Sequence, residues 1–269
     1  MFEIRTLTNP NELQDVAAFQ ASQPGLDIQF EPTALIALAQ NGGLVLGAYQ
    51  GAQLVGMSIS ILGTETRDPN RPAMANLKLA TITVGIHPDH HHRDLAYRLF
   101  VRQREIAIQQ GVRLITWTED PMDSQFAHLS LRQLGAITDR YIPNYYGTNG
   151  FSEPGQWDRL IMEWWITRPR VEERLTGSRG QLALQHYLDA NGVILSPAAL
   201  SDAEMVQIES LLSSTTVLLE MPGQDGRARV RTLLLSAFAA GYVATDFVQD
   251  QARNYYVLSR VPTSVFSSN

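Results

Sequence analysis

Residues 82–99, ITVGIHPDHHHRDLAYRL, decide how the rest of the chain is read. The segment opens β-branched and apolar, stops at Pro88, passes through a polar loop and then takes up helical spacing. Leu95, Ala96, Leu99, Ile106 and Ala107 recur on one face, while Arg98, Arg102, Glu105 and Gln109 fall on the other and Gly111 closes the run. A buried strand that enters a tight loop and then a helix leaves several backbone N–H groups unpaired at one place. The helix dipole adds partial positive charge there, so the junction is an anion site in outline.

Working outward, residues 2–7 alternate as a strand, and helices are expected over 11–19 and 31–40. GLVLGAYQ and QLVGMSISILG are apolar runs joined at Gln50-Gly51, a hairpin signal. Residues 64–73 are polar with two prolines and read as a loop. RLITWT is a strand, followed by a helix with Asp123 as N-cap and Gly135 beyond its end, then strand-like runs at about 137–146 and 159–167. Arg168-Pro169 opens a polar stretch, which places a boundary between a first domain, 1–167, and a C-terminal extension, 168–269. The extension reads as βαβ: a helix from Ser201, whose spacing to Glu204 fits a capping box, the strand TTVLLEMP, a helix over 227–240, then YVATDFV and NYYVLSR. The class is α/β (α+β), built on a mixed sheet.

The composition sets limits. At 269 residues, 44% apolar and 18% charged, the chain buries a core and is not disordered or collagen-like. It has no apolar run of about 18 residues and no basic patch ahead of a hydrophobic start, so a soluble, cytoplasmic protein without a membrane partner is expected. With no cysteine, disulfides, iron–sulfur clusters, thiolate-bound zinc and a thiol nucleophile are excluded. A net charge of −6 argues against nucleic acid as a partner. Lys78 is the only lysine and lies in a strand-like run, which leaves Schiff-base chemistry without support. His87, His90, His91 and His92 have neither a helix-spaced pair nor accompanying carboxylates, and no metal is expected.

At the loop after Pro88 the chain resembles the GNAT superfamily of acyl-CoA-dependent N-acyltransferases. His91 stands at the Q/R position of that family's pyrophosphate loop, Asp94 at its first glycine and Ala96 at its final G/A. The runs QRE (103–105), ITWTEDP (115–121), LGA (134–136), YIPNYYG (141–147), TDF (245–247) and YYVL (255–258) are similar to a branch of GNAT-like proteins with a long C-terminal extension. The resemblance implies a mostly antiparallel mixed sheet flanked by helices, with the extension as a degenerate second GNAT half. It implies acetyl-CoA, or another acyl-CoA, as co-substrate and a small-molecule amine as acceptor, and leaves room for a homodimer. Val84 and Ile86 would pair with the pantetheine arm, and His91, His92, Arg93, Asp94 and Ala96 would hold the pyrophosphate. Residues 77–86 contain no Asp or Glu to match the family's usual glutamate base, and Leu131 stands where its tyrosine acid falls. Glu119 or a water is then the base, with Tyr145 or Tyr146 as acid.

Other readings of the same residues stand beside these. A carboxylate at Asp94 about 6 Å from a phosphate would repel it by roughly 2–3 kcal/mol at an effective dielectric near 20. Read on their own, Glu119 is an exposed acid, Asp120 caps a turn or pairs with an arginine, and the tyrosines and Trp157, Trp164 and Trp165 are packing residues. Arg227, Arg229 and Arg231 open a helix after MPGQDG, either as a solvated face or as a shortened anion loop in the second half. The alternative function is a catalytically silent GNAT-fold module for ligand binding or dimerisation.

Overall fold

Asn9 accepts a hydrogen bond from the Asn11 N–H, and Pro10 supplies a preset φ, so the first helix starts where the sequence allows it to. The computed structural model describes residues 2–23, 25–65, 72, 76–90, 93–147, 155–178, 180–223 and 226–260. These sort into two compact units, 1–117 with 165–168, and 118–164 with 169–269. The expected division after residue 167 followed chain order, whereas these units follow contacts.

The first unit runs β1 (Glu3–Thr6), α1 (Pro10–Ser22), α2 (Pro32–Gln40), β2 (Leu44–Gln50), β3 (Gln53–Thr64), β4 (Leu77–Ile86), α3 (Arg93–Gln109) and β5 (Leu114–Glu119), whose last residues belong to the second unit. Its strands lie in the order β1-β2-β3-β4-β5. Every neighbouring pair is antiparallel except β4 and β5, which α3 connects as a parallel crossover. The β2–β3 hairpin turns at Gly51, whose φ of +62° is the left-handed value such a turn needs. Alternation along β3 directs Met57 and Ile59 to the core built with Leu13, Val16, Phe19 and Leu35 of α1 and α2. Gly56 faces the other way, where a β-carbon would meet Leu95 of α3. Helices therefore cover both faces of this mixed sheet.

The second unit begins where β5 ends. Asp123 accepts from the Gln125 and Phe126 N–H groups to start α4 (Ser124–Ala127), as the sequence indicated. The helix continues as a π-helical segment, His128–Gln133, which Gly135 ends at a φ of +75°. The strand-like run at 137–146 contributes only β6 (Tyr141–Ile142), paired with β7 (Arg159–Trp165), plus single bridges at Ile137 and Thr138. The polar stretch after 168 holds more structure than its composition suggests: α5 (Pro169–Thr176), α6 (Leu184–Asp189) and the short strand β8 (Val193–Leu195). The expected helix from Ser201 breaks at Gln207 into α7 (Asp202–Val206) and α8 (Ile208–Leu211). Then come β9 (Thr216–Glu220), α9 (Arg227–Ala239), β10 (Tyr242–Asp250) and β11 (Arg253–Arg260), in a sheet of order β10-β11-β9-β8.

The extension continues the hydrogen bonding of the strands before it. Ile137 exchanges backbone bonds of 3.0 and 2.8 Å with Glu163 of β7, and Thr138 exchanges bonds of 3.1 and 2.8 Å with Ala244 of β10. It also repeats the element order that precedes it. β8, α7–α8, β9, α9, β10 and β11 follow the same order as β4, α3, β5, α4, β6 and β7, with the first strand pair parallel and the last antiparallel in both. Glu119-Asp120-Pro121 at the end of β5 matches Glu220-Met221-Pro222 at the end of β9, and Thr138-Asp139 matches Thr245-Asp246. The turn at Pro222 thus corresponds to the turn at Pro121. Gln224 and Asp225 of the loop that follows, read as a shortened anion loop, lie outside the described residues.

Asp246 organises this unit. It is 2% exposed, and its Oδ2 accepts from Arg132 (3.2 Å), Arg174 (2.7 Å) and the Tyr187 hydroxyl (2.7 Å). A bulge at Thr245 precedes it, and Arg170 donates to the carbonyl this bulge frees. Removing one partner of a buried ion pair strands the others without compensation. Asp246→Ala therefore lowers the unfolding free energy by about 3–5 kcal/mol in a denaturant titration.

Candidate functional site

The first unit carries an irregularity in its sheet. β3 pairs with β4 through Ile59↔Thr83 and then Ser60↔Thr81, so Ile82 is an extra residue and β4 bulges there. Within the first unit the parallel ladder between β4 and β5 runs from Lys78↔Leu114 to Thr81↔Trp117. A bulge bends its strand and increases its twist. Val84 and Ile86 lie beyond the bulge and pair with Ser58 and Gly56 of β3.

Past β4 the chain makes a turn of 3₁₀-helix at Pro88–His90. The His90 N–H donates to the His87 carbonyl at 2.8 Å, and the Asp89 N–H reaches His87 Nδ1 at 3.3 Å. His91 and His92 lie outside the described residues. Arg93 opens α3. Asp94, in the first turn, is exposed, while Leu95 and Ala96 behind it are buried. The carboxylate at the first-glycine position thus lies on the solvent side of the helix, where screening weakens its repulsion of an anion. The small side chain at Ala96 is the one packed inward. No group of histidines and carboxylates able to hold a metal occurs among the described residues.

The other predicted site residues belong to the second unit. Glu119 is 4% exposed, not the surface acid expected on its own, and its Oε2 accepts from the Ser130 hydroxyl of the π-helical segment at 2.7 Å. A π-helical turn displaces later side chains from α-helical register, a local feature frequent at functional sites. Thr118 points to the opposite face of β5. Its hydroxyl meets that of Tyr146 at 3.3 Å. Tyr145 (43% exposed) and Tyr146 (36%) stand edge to face, and Tyr146 meets Trp157 in the same way, at centroid separations of 4.9 and 5.6 Å. The structure thus brings Tyr145 and Tyr146 together with Trp157 and Thr118, and places Glu119 on the reverse face with Ser130. Leu131 is fully buried.

Asp120 behaves as a paired residue. Its carboxylate accepts a two-pronged bond from Arg227 at 2.8 and 2.9 Å and also the Met122 N–H. Burial works against the charge of Arg227, and the Asp120 carboxylate more than offsets it. Arg229 pairs with Asp202 and Arg231 with Asp158, so the basic start of α9 is matched by acids and is not a bare solvated face. Asp158 is itself buried, accepting from the Tyr141 hydroxyl (2.7 Å) and the Asn144 N–H (2.9 Å). Trp164 packs in the core as expected, its indole N–H donating to the Leu134 carbonyl.

Sequence reasoning missed Ser130, Arg132 and Gln103, all polar residues on helix faces otherwise committed to the core. The signal was available in Gln103, which interrupts the stripe Leu95, Leu99, Ala107 at i+4 spacing.

Comparison with known proteins bears on the fold. Neither a protein-family model nor a curated protein matches the sequence. Among solved structures, the chain is similar to Arabidopsis thaliana NAA60 in complex with acetyl-CoA, at 14% identity and a TM-score of 0.51 over 62% of this chain and 100% of that one. It is likewise similar to the same protein in complex with a bisubstrate analogue, at 14% identity and a TM-score of 0.50, with coverage of 62% and 100%. The chain has the GNAT fold. No helix among the described residues is long and apolar enough to cross a membrane.

These geometries give two expectations. Replacing the exposed carboxylate in Asp94→Asn tightens acetyl-CoA binding about twofold to fivefold at low salt in calorimetry, and the gain shrinks as salt rises. Tyr141, Tyr187 and Tyr256 are pushed above the ordinary phenol value of 10.0, by burial first and then by nearby carboxylates. The folded state holds these protons more tightly, so their contribution to stability is complete below about pH 10 and lost as pH climbs through the folded values. An alkaline absorbance titration therefore shows these phenols ionising together with unfolding.

Proposed function

We propose that the protein is an acyltransferase of the cytoplasm that moves an acetyl group from acetyl-CoA to a small-molecule amine. The observation that carries this reading is the bulged strand β4, whose bulge at Ile82 is followed by Val84, Ile86 and the turn into the start of α3. The main chain of β4 past the bulge would pair with an extended, amide-bearing chain as a strand would. The exposed position of Asp94 and the inward packing of Ala96 fit a diphosphate at the helix N-terminus. The NAA60 complexes with acetyl-CoA and with a bisubstrate analogue support the same reading.

Acetyl-CoA, when bound, supplies the activated thioester. The main chain at Val84 and Ile86 would hold the pantetheine arm, and His91, His92, Arg93, Asp94 and Ala96 would serve the pyrophosphate. Orientation supplies most of the rate, since an amine nucleophile needs only a close approach and removal of one proton. That proton passes through water to the Glu119 carboxylate, which the Ser130 hydroxyl keeps in place. The Tyr146 or Tyr145 hydroxyl would return a proton to the departing thiolate.

The sealed position of Glu119 favours a second reading, in which the fold binds the nucleotide without turning it over. Titration with acetyl-CoA by calorimetry, followed by release of free CoA across a panel of small amines, separates the two. Binding with turnover is the expected outcome, and binding without release on any amine supports the silent module. No heat and no thermal shift at millimolar acetyl-CoA overturn both.

A further inference from the structure

Asp246 is a single carboxylate held by two guanidiniums. Arg132 reaches it from the π-helical segment and Arg174 from α5, and all three side chains are less than a tenth exposed. Both arginines converge on the same oxygen, Oδ2, while Oδ1 accepts from the Phe247 N–H at 2.9 Å. The Tyr187 hydroxyl also donates to Oδ2. Burial and the Asp246 carboxylate push that phenol well above its ordinary range, so it keeps its proton and adds no negative charge. Over these four groups, all in the second unit, two buried positive charges meet one negative charge.

The two arginines are not used alike. Arg132 divides its guanidinium between Asp246 and the Leu182 carbonyl, which accepts from its Nη2 at 2.6 Å. Arg174 gives only its Nη2, and its Nε and Nη1 are buried with no hydrogen-bond acceptor among the described residues. An arginine cannot escape the cost of burial by giving up its proton, so its charge has to be matched. Arg170, one turn earlier on α5, does not supply the match: it is another cation, and it donates to the Gly135 and Thr245 carbonyls. A methionine at position 174 would fill the same space and leave Arg132 and Asp246 as a one-to-one pair. What the arginine adds is a surplus positive charge and two directed N–H groups, which is the chemistry that receives an anion.

We propose that Arg174 is the centre of a binding site for a small monovalent anion of the halide class, held by its Nε–H and Nη1–H and balancing the charge of the cluster around Asp246. A monovalent ion matches an excess of one charge. A doubly charged phosphate overshoots it and is costlier to strip of water. The bound ion braces α5, the π-helical segment and β10 through their shared side chains, so its occupancy tunes the stability of the second unit. The site goes beyond the acetyl-transfer reading and does not depend on it.

The test compares the wild type with Arg174→Met and Arg132→Met by thermal melting in sodium chloride, sodium bromide and sodium gluconate at one ionic strength. Chloride NMR line widths report binding directly. Replacing gluconate by chloride at about 0.1 M is expected to raise the wild-type Tm by about 3–6 °C, as for an ion of millimolar Kd that binds the folded chain alone. Bromide acts in the same way. Arg174→Met loses most of this shift and the broadening of the chloride signal, and in gluconate it melts within a few degrees of the wild type, because Arg132 and Asp246 stay paired. Arg132→Met carries the test if Arg174→Met does not fold: it removes the same surplus charge and weakens chloride binding about tenfold or more. A wild-type Tm that is the same in all three salts overturns the site, and so does a chloride effect that Arg174→Met retains. A loss of stability in Arg174→Met that is equal in every salt assigns Arg174 to packing alone and overturns it as well. No arm contains acetyl-CoA, so failure of the transfer reading leaves these outcomes unchanged.

Discussion

A strand with one residue more than its partner must bulge, and in β4 that residue is Ile82, between the Ser60↔Thr81 and Ile59↔Thr83 rungs. The antiparallel side absorbs the extra residue, because β3 continues to pair with β4 as far as Gly56↔Ile86. The strand is thereby held firmly along β3 while its course changes at Ile82. Bulges of this kind re-aim the residues that follow them, here the run that leads into α3.

In the second unit the constraint is electrostatic. The residues after β5 carry arginines and acids that the extension completes: Arg132 by Asp246, Asp120 by Arg227, and Asp158 by Arg231. Buried or half-buried pairs of this kind tolerate neither partner alone. This explains why residues 118–164 cluster with 169–269 and why the chain's boundary in space differs from its boundary in sequence. The hydroxyl of Tyr256, fully buried, adds a tie to the Pro121 carbonyl at 2.9 Å and holds the turn that follows Glu119.

Much of this was legible in the residues. The β2–β3 hairpin, the Asp123 cap, the glycine stops at Gly135 and Gly241 and the strand–loop–helix at Pro88 each follow from local chemistry, which needs no knowledge of distant partners. What could not be read depends on register and long-range pairing. The bulge at Ile82 leaves no mark in the β-branched run Thr81–Val84 around it. The burial of Glu119 depends on a π-helical turn bringing Ser130 under it. β8 was missed because three residues are too few for a pattern, and α5 and α6 because their polar faces dominate their composition. The arginines of α9 looked like one feature, yet each answers a different acid.

The repeated order of elements has a consequence for how the chain reaches its native state. Two segments with the same strand polarity and matching turns at Pro121 and Pro222 can each begin to assemble in the place meant for the other, a hazard general to chains with internal copies. Divergence protects against it. The bulge before Asp246 and the arginines of α9, each matched to one acid, fit only one of the two arrangements. The departures from internal symmetry thus act as addresses that tell the copies apart while the sheet is still being laid down.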